Sequence, residues 1–288
     1  MARIVDLLVA GQTRSFEFFP PKTDEMERQL DKTIAELALL SPSFVSVTYG
    51  ALGSTRDRTR DVVLRINREQ TFPCMAHLTC VGHTRGDIAR LLDEYADAGV
   101  ENILALGGDP PADGSDPGGD FEFALQLVQI VRSHPARFCI GVAAHPELHP
   151  RSTGRASDRR HLAEKLDAAD FGVTQFFFNA DDYVRMIDDL DALGCRKPVL
   201  PGIMPIISVA GVKRMAAMNG SVIPPDLLGR IEAVEDDAAA VIDIGVESAT
   251  ELCARMIDAG APGLHLYALN RPTSVRRIYD NLGLAPQD

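Results

Sequence analysis

Short apolar segments recur along the chain, and each has the length of a buried strand. Between them lie longer stretches in which apolar residues return at intervals of three and four, the spacing of a helix that covers a sheet. Several of these stretches close with glycine, as at Gly99 and Gly194, which is a common way for a helix to end. The predicted strands are residues 15–20, 44–50, 74–80, 102–108, 137–145, 171–178, 198–206 and 263–269.

Strands that alternate with helices predict an α/β fold, a single (β/α)8 TIM barrel over residues 1–288. Such barrels have about 250 residues, so one domain accounts for the whole chain. The connection before the eighth strand is enlarged and contains helical segments at 211–219, 224–233 and 235–259. An open, doubly wound sheet is the alternative, but no G-x-G-x-x-G motif follows the first strand.

Alternation along the first strand predicts a carboxylate inside this barrel. Phe16 and Phe18 share one strand face and face the helices, which points Glu17 into the lumen. A buried carboxylate without a partner is unfavourable and normally stays protonated. We therefore predict a raised pKa for Glu17 and a role as general acid. The alternative is an ion pair with a cation that the sequence does not identify.

Polar residues on other strands repeat this pattern, so we expect polar side chains from five strands to converge in one lumen. The pairs that share a face are Ser46 with Thr48, His77 with Thr79, Gln175 with Asn179, and His265 with Tyr267. Barrel active sites lie at the C-terminal ends of the strands. The candidates at or just after such ends are Thr48, Asp109, Gln175 and Arg271. For any one of them taken alone, a structural hydrogen bond is an equally good interpretation.

Two histidines four residues apart, His145 and His149, raise the question of a metal site. The proline that follows each of them favours a loop, whereas paired metal ligands at this spacing lie on a helix. Together with His77 and Asp109 they leave a metal-dependent barrel hydrolase as an alternative. A loop that binds a ligand, or a rigid turn, is the favoured interpretation, and we predict no metal site.

Charge and cysteine content narrow the classes of ligand and location. With 29 Lys and Arg against 41 Asp and Glu, the net charge is −12, which excludes a general nucleic-acid binder and argues against anionic membranes. The five scattered cysteines form no C-x-x-C pair and predict free thiols in a reducing compartment. The N-terminus is a poor signal peptide, and no apolar run approaches the ~20 residues that span a bilayer. We expect a soluble, cytoplasmic protein with small-molecule ligands.

Eight motifs in order resemble the methylenetetrahydrofolate reductase family, in its bacterial catalytic-domain form, over nearly the whole chain. They are FEFFPPKTDEME (16–27), FVSVTYGA (44–51), AHLTC (76–80), ALGGDPP (105–111), VAAHPELHP (142–150), TQFFFNADDY (174–183), LPGIMPI (200–206) and LYALNRP (266–272). The resemblance implies a (β/α)8 barrel that reduces 5,10-methylenetetrahydrofolate to 5-methyltetrahydrofolate with NADH or NADPH, for methionine synthesis. It also implies one catalytic domain without the eukaryotic regulatory domain.

The resemblance assigns roles to individual residues. Glu17 is implied to protonate N10 of the folate, and Asp109 to stabilise the iminium cation that follows. The implied substrate-binding residues are Gln175, Thr48 and Arg271. The implied cofactor-binding residues are Thr48, Tyr49, Ala51, His77, Gly108, His145, His149, Asp158 and Lys165.

The chain departs from the family at the usual FAD contacts. The departures at those contacts are Gly107 for an arginine, His145 for a tyrosine, His161 for an asparagine and Glu164 for a basic residue. Val209 also replaces a phenylalanine that commonly stacks on bound ligands in the family. Loss of the arginine removes a charge-assisted phosphate contact worth roughly 1.5–3 kcal/mol. We therefore expect FAD to be weakly bound or absent, with direct hydride transfer from NAD(P)H. A conventional FAD-dependent reductase and a non-catalytic folate-binding protein are the alternatives, and the oligomeric state stays open.

Overall fold

The computed structural model describes residues 2–49, 56–108, 116 and 118–285. Nine parallel strands and eleven helices alternate along these residues, which confirms the predicted α/β barrel. The strands are β1 (Thr13–Phe18), β2 (Phe44–Val47), β3 (Cys74–Thr79), β4 (Asn102–Leu106), β5 (Cys139–Ala144), β6 (Phe171–Thr174), β7 (Val199–Leu200), β8 (Gly202–Ile203) and β9 (Gly263–Tyr267). The helices are α1 (Ile4–Ala10), α2 (Asp24–Ala38), α3 (Arg56–Glu69), α4 (Arg85–Asp97), α5 (Ala124–Ser133), α6 (Arg155–Ala168), α7 (Ala180–Ala192), α8 (Val209–Asn219), α9 (Pro225–Glu232), α10 (Ala238–Asp258) and α11 (Pro272–Asn281).

One broken segment closes the barrel. The strand order is β7-β6-β5-β4-β3-β2-β1-β9-β8, with β7 paired to β6 and β8 paired to β9. The single strand predicted over 198–206 is therefore two short strands, separated by Pro201. Proline has no N–H to donate to a ladder, so the pairing is interrupted there. The Pro201 carbonyl still accepts the His265 N–H at 3.0 Å, which keeps the two edges together.

The alternation in β1 determines what lies inside the barrel. Phe16 and Phe18 are buried in the layer between strands and helices, in the same cluster as Leu30 and Ile34 of α2. Glu17, between the two phenylalanines, lies on the opposite face of the strand and is 5% exposed. The prediction that Glu17 faces the lumen is therefore confirmed by its contacts with lumen residues of other strands.

The enlarged connection before the last strand is also as predicted, because α8, α9 and α10 all lie between β8 and β9. Leu227 and Ile231 of α9 pack with Phe176 in an apolar cluster separate from the main layer. A Cβ at Gly245 of α10 would lie 2.1 Å from the Ile206 carbonyl oxygen, so this helix lies directly against the segment after β8.

Two expectations drawn from composition bear on the described residues. All five cysteines are buried and free, as predicted. Within the described part of the chain, no helix is both long enough and apolar enough to cross a membrane.

Helix α1 was not predicted, and it covers the N-terminal end of the barrel. Ile4 is fully buried among lumen residues that include Met75 and Leu104. The Ile4 N–H donates to Oδ1 of Asn102 at 2.8 Å, and the Asn102 amide donates to the Ala2 carbonyl at 3.1 Å. Asn102 is the first residue of β4, so α1 lies at the end opposite the strand termini where barrel sites form. Seven residues are too few to show helical periodicity.

We expect Ile4→Ala to destabilise the barrel without altering its active-site end. Loss of a fully buried isoleucine should lower the free energy of unfolding by about 2–5 kcal/mol, as measured by urea denaturation. Val9→Ala, on the same helix but 84% exposed, is the control and should change it by less than about 0.5 kcal/mol. Equal effects of the two substitutions would contradict this account of α1.

Candidate active site

A buried polar cluster around Glu17 occupies the lumen. Its Oε2 accepts a hydrogen bond from Oγ of Ser46 at 3.3 Å and lies 3.3 Å from Nε2 of His265. Nε2 of His77 lies 3.3 Å from the same oxygen, in ion-pair contact without good hydrogen-bond alignment. Glu17, Ser46, His77 and His265 come from β1, β2, β3 and β9, and all are at least nine-tenths buried. Parallel pairing sets Glu17 opposite Ser46, so the predicted convergence is confirmed for these four residues.

The predicted direction of the Glu17 pKa shift is wrong. Burial alone raises the pKa of this carboxyl group, but the charge and hydrogen bonding of His77 and His265 lower it by more. The net pKa falls from 4.5 to about 2, so Glu17 is a carboxylate in the protein without ligands. The partner that the alternative interpretation left unidentified is a pair of imidazoles, from His77 and His265.

His265 is held on both ring nitrogens. Its Nδ1 lies 2.8 Å from Oγ of Ser15, and that hydroxyl also lies 3.2 Å from the Leu264 carbonyl. The ring stacks on Phe44 with centroids 6.0 Å apart and an interplanar angle of 15°. Ser15 has one hydrogen, so when it donates to Leu264 the Nδ1 must donate to Ser15. The second nitrogen then contacts Glu17 as a donor only if His265 carries both protons.

Some of the polar residues predicted to line the lumen are instead engaged in hydrogen bonds to the protein backbone. Asn179 is the N-cap of α7, where its side chain accepts the Asp181 N–H. The Tyr267 hydroxyl donates to the Thr174 carbonyl at 2.8 Å, which ties β9 to β6. By contrast, Thr79 is 6% exposed, and its hydroxyl has no hydrogen-bond partner among the described residues.

The substrate-binding candidates lie around the C-terminal ends of the strands. Thr48 directly follows β2 and is half-buried, and Gln175 directly follows β6. Oε1 of Gln175 accepts the Phe176 N–H at 3.0 Å, which leaves its amide nitrogen available to a ligand. Arg271 precedes α11 and is exposed, and its guanidinium makes no ion pair with the described residues.

Three candidates lie near or within the segments that are not described. Asp109 and Ala51 are outside the described residues. Gly108 has a φ of +85°, and a Cβ there would lie 2.3 Å from Cγ1 of Val81, so the backbone requires glycine. A Cβ on Gly107 would meet no atom within 4 Å, so this position has room for a side chain.

The cofactor candidates form a second group at the end of β5. The His145 and His149 rings meet edge to face, with centroids 4.7 Å apart. Burial, followed by the charges of His149, Lys165 and Arg159, lowers the pKa of His145 to about 3. Burial also lowers the pKa of Lys165 to about 8, although Asp158 opposes this shift. His145 is therefore neutral at pH 7, and Lys165 carries most of a positive charge.

Other candidates are engaged within the protein. Asp158 is 7% exposed, and its Oδ1 accepts the His149 N–H at 3.0 Å. The Tyr49 hydroxyl lies 3.0 Å from Nε2 of His83, a buried residue that the sequence interpretation missed. A second missed residue is Arg159, which is buried and contacts the backbone after β5. Both were missed because neither belongs to a strand whose alternation could reveal it.

No metal site emerges among the residues that the structure describes. They contain no group of three or more His, Cys, Asp or Glu placed to hold a metal ion. His77 contacts Glu17, whereas His145 and His149 contact each other at another strand end.

The matching family model and two known proteins that resemble this chain in sequence are all methylenetetrahydrofolate reductases. The family model for methylenetetrahydrofolate reductase matches residues 3–283. The Arabidopsis thaliana methylenetetrahydrofolate reductase (NADH) 1 is 38% identical over 98% of this chain and 50% of its own length. The Salmonella typhimurium 5,10-methylenetetrahydrofolate reductase is 36% identical over 96% of this chain and 93% of that protein. The chain thus spans about half the length of the plant relative and nearly all of the bacterial one.

A solved structure has the same barrel fold. An uncharacterized protein from Clostridium thermocellum that binds two copies of 5-methyl-5,6,7,8-tetrahydrofolic acid matches with a TM-score of 0.64. The match covers 98% of this chain and 97% of that one at 17% sequence identity, so it supports the barrel fold alone.

The lowered pKa of Glu17 predicts a pH-dependent contribution to stability. A carboxyl group with pKa 4.5 when unfolded and about 2 when folded stabilises the protein above pH 4.5, and this is lost as the pH falls towards 2. The difference in unfolding free energy between the parent protein and Glu17→Gln should therefore shrink on acidification. Urea denaturation of both proteins across this range measures it. A difference that grows as the pH falls would contradict the pairing with His77 and His265.

Proposed function

Because the chain belongs to the methylenetetrahydrofolate reductase family, we propose that it reduces 5,10-methylenetetrahydrofolate to 5-methyltetrahydrofolate with NADH or NADPH. The observation that carries the proposal is the buried carboxylate of Glu17 with two imidazoles on one of its oxygens. Such a cluster suits a reaction that needs a proton in a water-poor site. A merely folate-binding barrel has no use for a charge buried at this depth.

The reaction needs one proton and one hydride. The five-membered ring that bridges N5 and N10 opens when N10 is protonated, which leaves a cationic iminium at N5. The hydride of NAD(P)H then adds to the bridging carbon and makes it a methyl group, with release of NAD(P)+. Proton and hydride together balance the reduction.

Glu17 is the proposed proton donor, and the imidazoles are its supply. Its low pKa leaves the carboxyl group ionised, so in this proposal a proton must reach it from a neighbouring imidazole. Transfer from His265 or His77 across 3.3 Å makes Glu17 the acid that faces N10. The carboxylate left after N10 is protonated then stabilises the iminium cation. Asp109 is proposed to help with this stabilisation.

The strand-end residues are proposed to orient the two substrates. Gln175 has an amide nitrogen left for the pterin edge, because its oxygen is taken by the Phe176 N–H. Thr48 is proposed to lie beside the nicotinamide or the pterin. Arg271, exposed and unpaired among the described residues, suits the glutamate carboxylate of folate.

FAD, which the family usually carries, fits the described residues poorly. Gly107 supplies no cation where the family has an arginine, and the Asp158 carboxylate is engaged by His149 and Arg159. Lys165 is the cation left beside His145. We therefore propose that NAD(P)H passes its hydride directly to the folate in a ternary complex.

Glu17→Gln should lower kcat by about 10²–10⁴-fold while folate binding is largely kept, because the amide fills the same space but donates no catalytic proton. NAD(P)H oxidation and a folate titration measure the two effects. Glu36→Gln, on the exposed face of α2, is the control and should behave like the parent protein. Full activity of Glu17→Gln would remove Glu17 from the acid role.

The purified protein should show no stoichiometric flavin absorbance between about 370 and 450 nm, and added FAD should not raise its activity. Gly107→Arg should raise the FAD affinity by about tenfold or more, because the position has room for the side chain and the guanidinium can contact a phosphate. Gly107→Leu is the control for bulk without charge. A flavin that copurifies, or activity that needs FAD, would refute direct transfer.

A further inference from the structure

Arg159 makes an unusually complete set of hydrogen bonds. Its guanidinium has five N–H donors, and each has an acceptor. Nη1 donates to the His145 carbonyl at 2.9 Å, and Nη2 donates to the carbonyls of Pro146 at 2.6 Å and Glu147 at 3.0 Å. The remaining donors reach Oδ2 of Asp158 at 2.7 Å and Oδ2 of Asp189 at 3.2 Å. The side chain is 4% exposed.

These acceptors belong to the segment that carries the second group of candidate residues. The segment 145–149 directly follows β5, so it lies at the end of the barrel where sites form. It has no regular secondary structure, and its carbonyls therefore need partners from elsewhere. Arg159 supplies three of those partners, and Asp158 accepts the His149 N–H. Arg159 and Asp158, in the first turns of α6, thus fix the backbone that carries the His145 and His149 rings.

The same segment is tied to the folate side of the site. The Ala144 carbonyl accepts the Gln175 N–H at 2.7 Å. Oε1 of Glu147 accepts the Val222 N–H at 2.7 Å, and the neighbouring Ser221 hydroxyl donates to the Phe176 carbonyl at 3.1 Å. The position of segment 145–149 is therefore linked to the residues that follow β6.

We propose that Arg159 is a positioning residue, which holds segment 145–149 in the conformation that binds the nicotinamide nucleotide. The inference rests on the proposed function, because with FAD absent we assign the family's cofactor positions at His145 and His149 to the nicotinamide nucleotide. Arg159 does not touch the substrates itself, and a buried guanidinium suits the task because its planar fork fixes several acceptors at once. A lysine at this position has at most three donors, all on one nitrogen, and cannot satisfy five acceptors.

The test compares Arg159→Lys with Arg155→Lys. Arg155 lies one turn earlier on α6 and also pairs with Asp189, at 2.8 and 3.0 Å, but its side chain is half-exposed and contacts no described carbonyl of the segment. Both substitutions keep the charge and weaken the same ion pair between α6 and α7. They differ in whether the three carbonyls lose their partner.

We expect Arg159→Lys to raise the Kd and KM for NADH by about tenfold or more, with the KM for methylenetetrahydrofolate changed by less than about threefold. Arg155→Lys should leave the Kd for NADH and both KM values within about twofold of those of the parent protein. NADH fluorescence titration gives the Kd, and initial rates at varied NADH and folate give the KM values. A loss of fold stability alone would not separate the two substrates in this way.

Two results would overturn the proposal: unchanged NADH binding in Arg159→Lys, or an equal loss in both variants, which would assign the effect to the ion pair with Asp189. Failure of the proposed function looks different. A parent protein that binds NADH but does not reduce methylenetetrahydrofolate would refute the function, while the comparison of NADH affinities still tests the positioning role. A parent protein that does not bind NADH would refute both.

Discussion

The contact between the Glu17 carboxylate and the imidazoles of His77 and His265 is the constraint on which the lumen depends. A lone carboxylate that is only 5% exposed is unstable inside a barrel whose core is built mainly from apolar side chains. Two histidines on one of its oxygens compensate for the lost water, and each comes from a different strand. The parallel register must therefore bring β1, β3 and β9 to the same depth. Ser15 and Ser46 complete the cluster from the neighbouring lumen positions.

This constraint changes how the proposed acid works. A carboxylic acid kept neutral by burial holds its own proton, whereas the low pKa of Glu17 keeps it ionised and it must be supplied with one. The acid strength available to a ligand is then set by the exchange between carboxylate and imidazole, and not by the carboxyl group alone. The Thr79 hydroxyl, two residues after His77 and without a hydrogen-bond partner in the part of the chain that the structure describes, is a further polar group in the lumen.

The alternation of apolar and polar residues along the strands predicted which side chains line the lumen, although those strands lie far apart along the chain. The face of β1 that carries Glu17 followed from the residues on either side of it, and the polar faces of β2, β3 and β9 followed in the same way. The sign of the Glu17 pKa shift did not follow, because it depends on His77 and His265 together, and His265 lies 248 residues away, at a separation that only the closed sheet sets. The predicted strand over 198–206 is divided at Pro201, where the barrel closes, because proline has no N–H to donate to a neighbouring strand. Helix α1 was missed because its seven residues show no period, and its role depends on the far ends of β4 and β5. Arg159 was missed because three of its partners are backbone carbonyls, which residue identity does not reveal.

The proposed absence of FAD and the hydrogen bonds of Arg159 bear on the same physical requirement. A bound flavin would carry the hydride from the nucleotide to the folate, so the two need not bind at the same time. Direct transfer requires both substrates at once, with donor and acceptor carbons held within about 3–3.5 Å of each other. The protein must then supply the positional precision that a bound flavin otherwise provides. Segment 145–149, whose carbonyls are held by a buried guanidinium and which is linked to the end of β6 through Glu147 and the Ser221 hydroxyl, is the part of the protein that we propose meets this requirement.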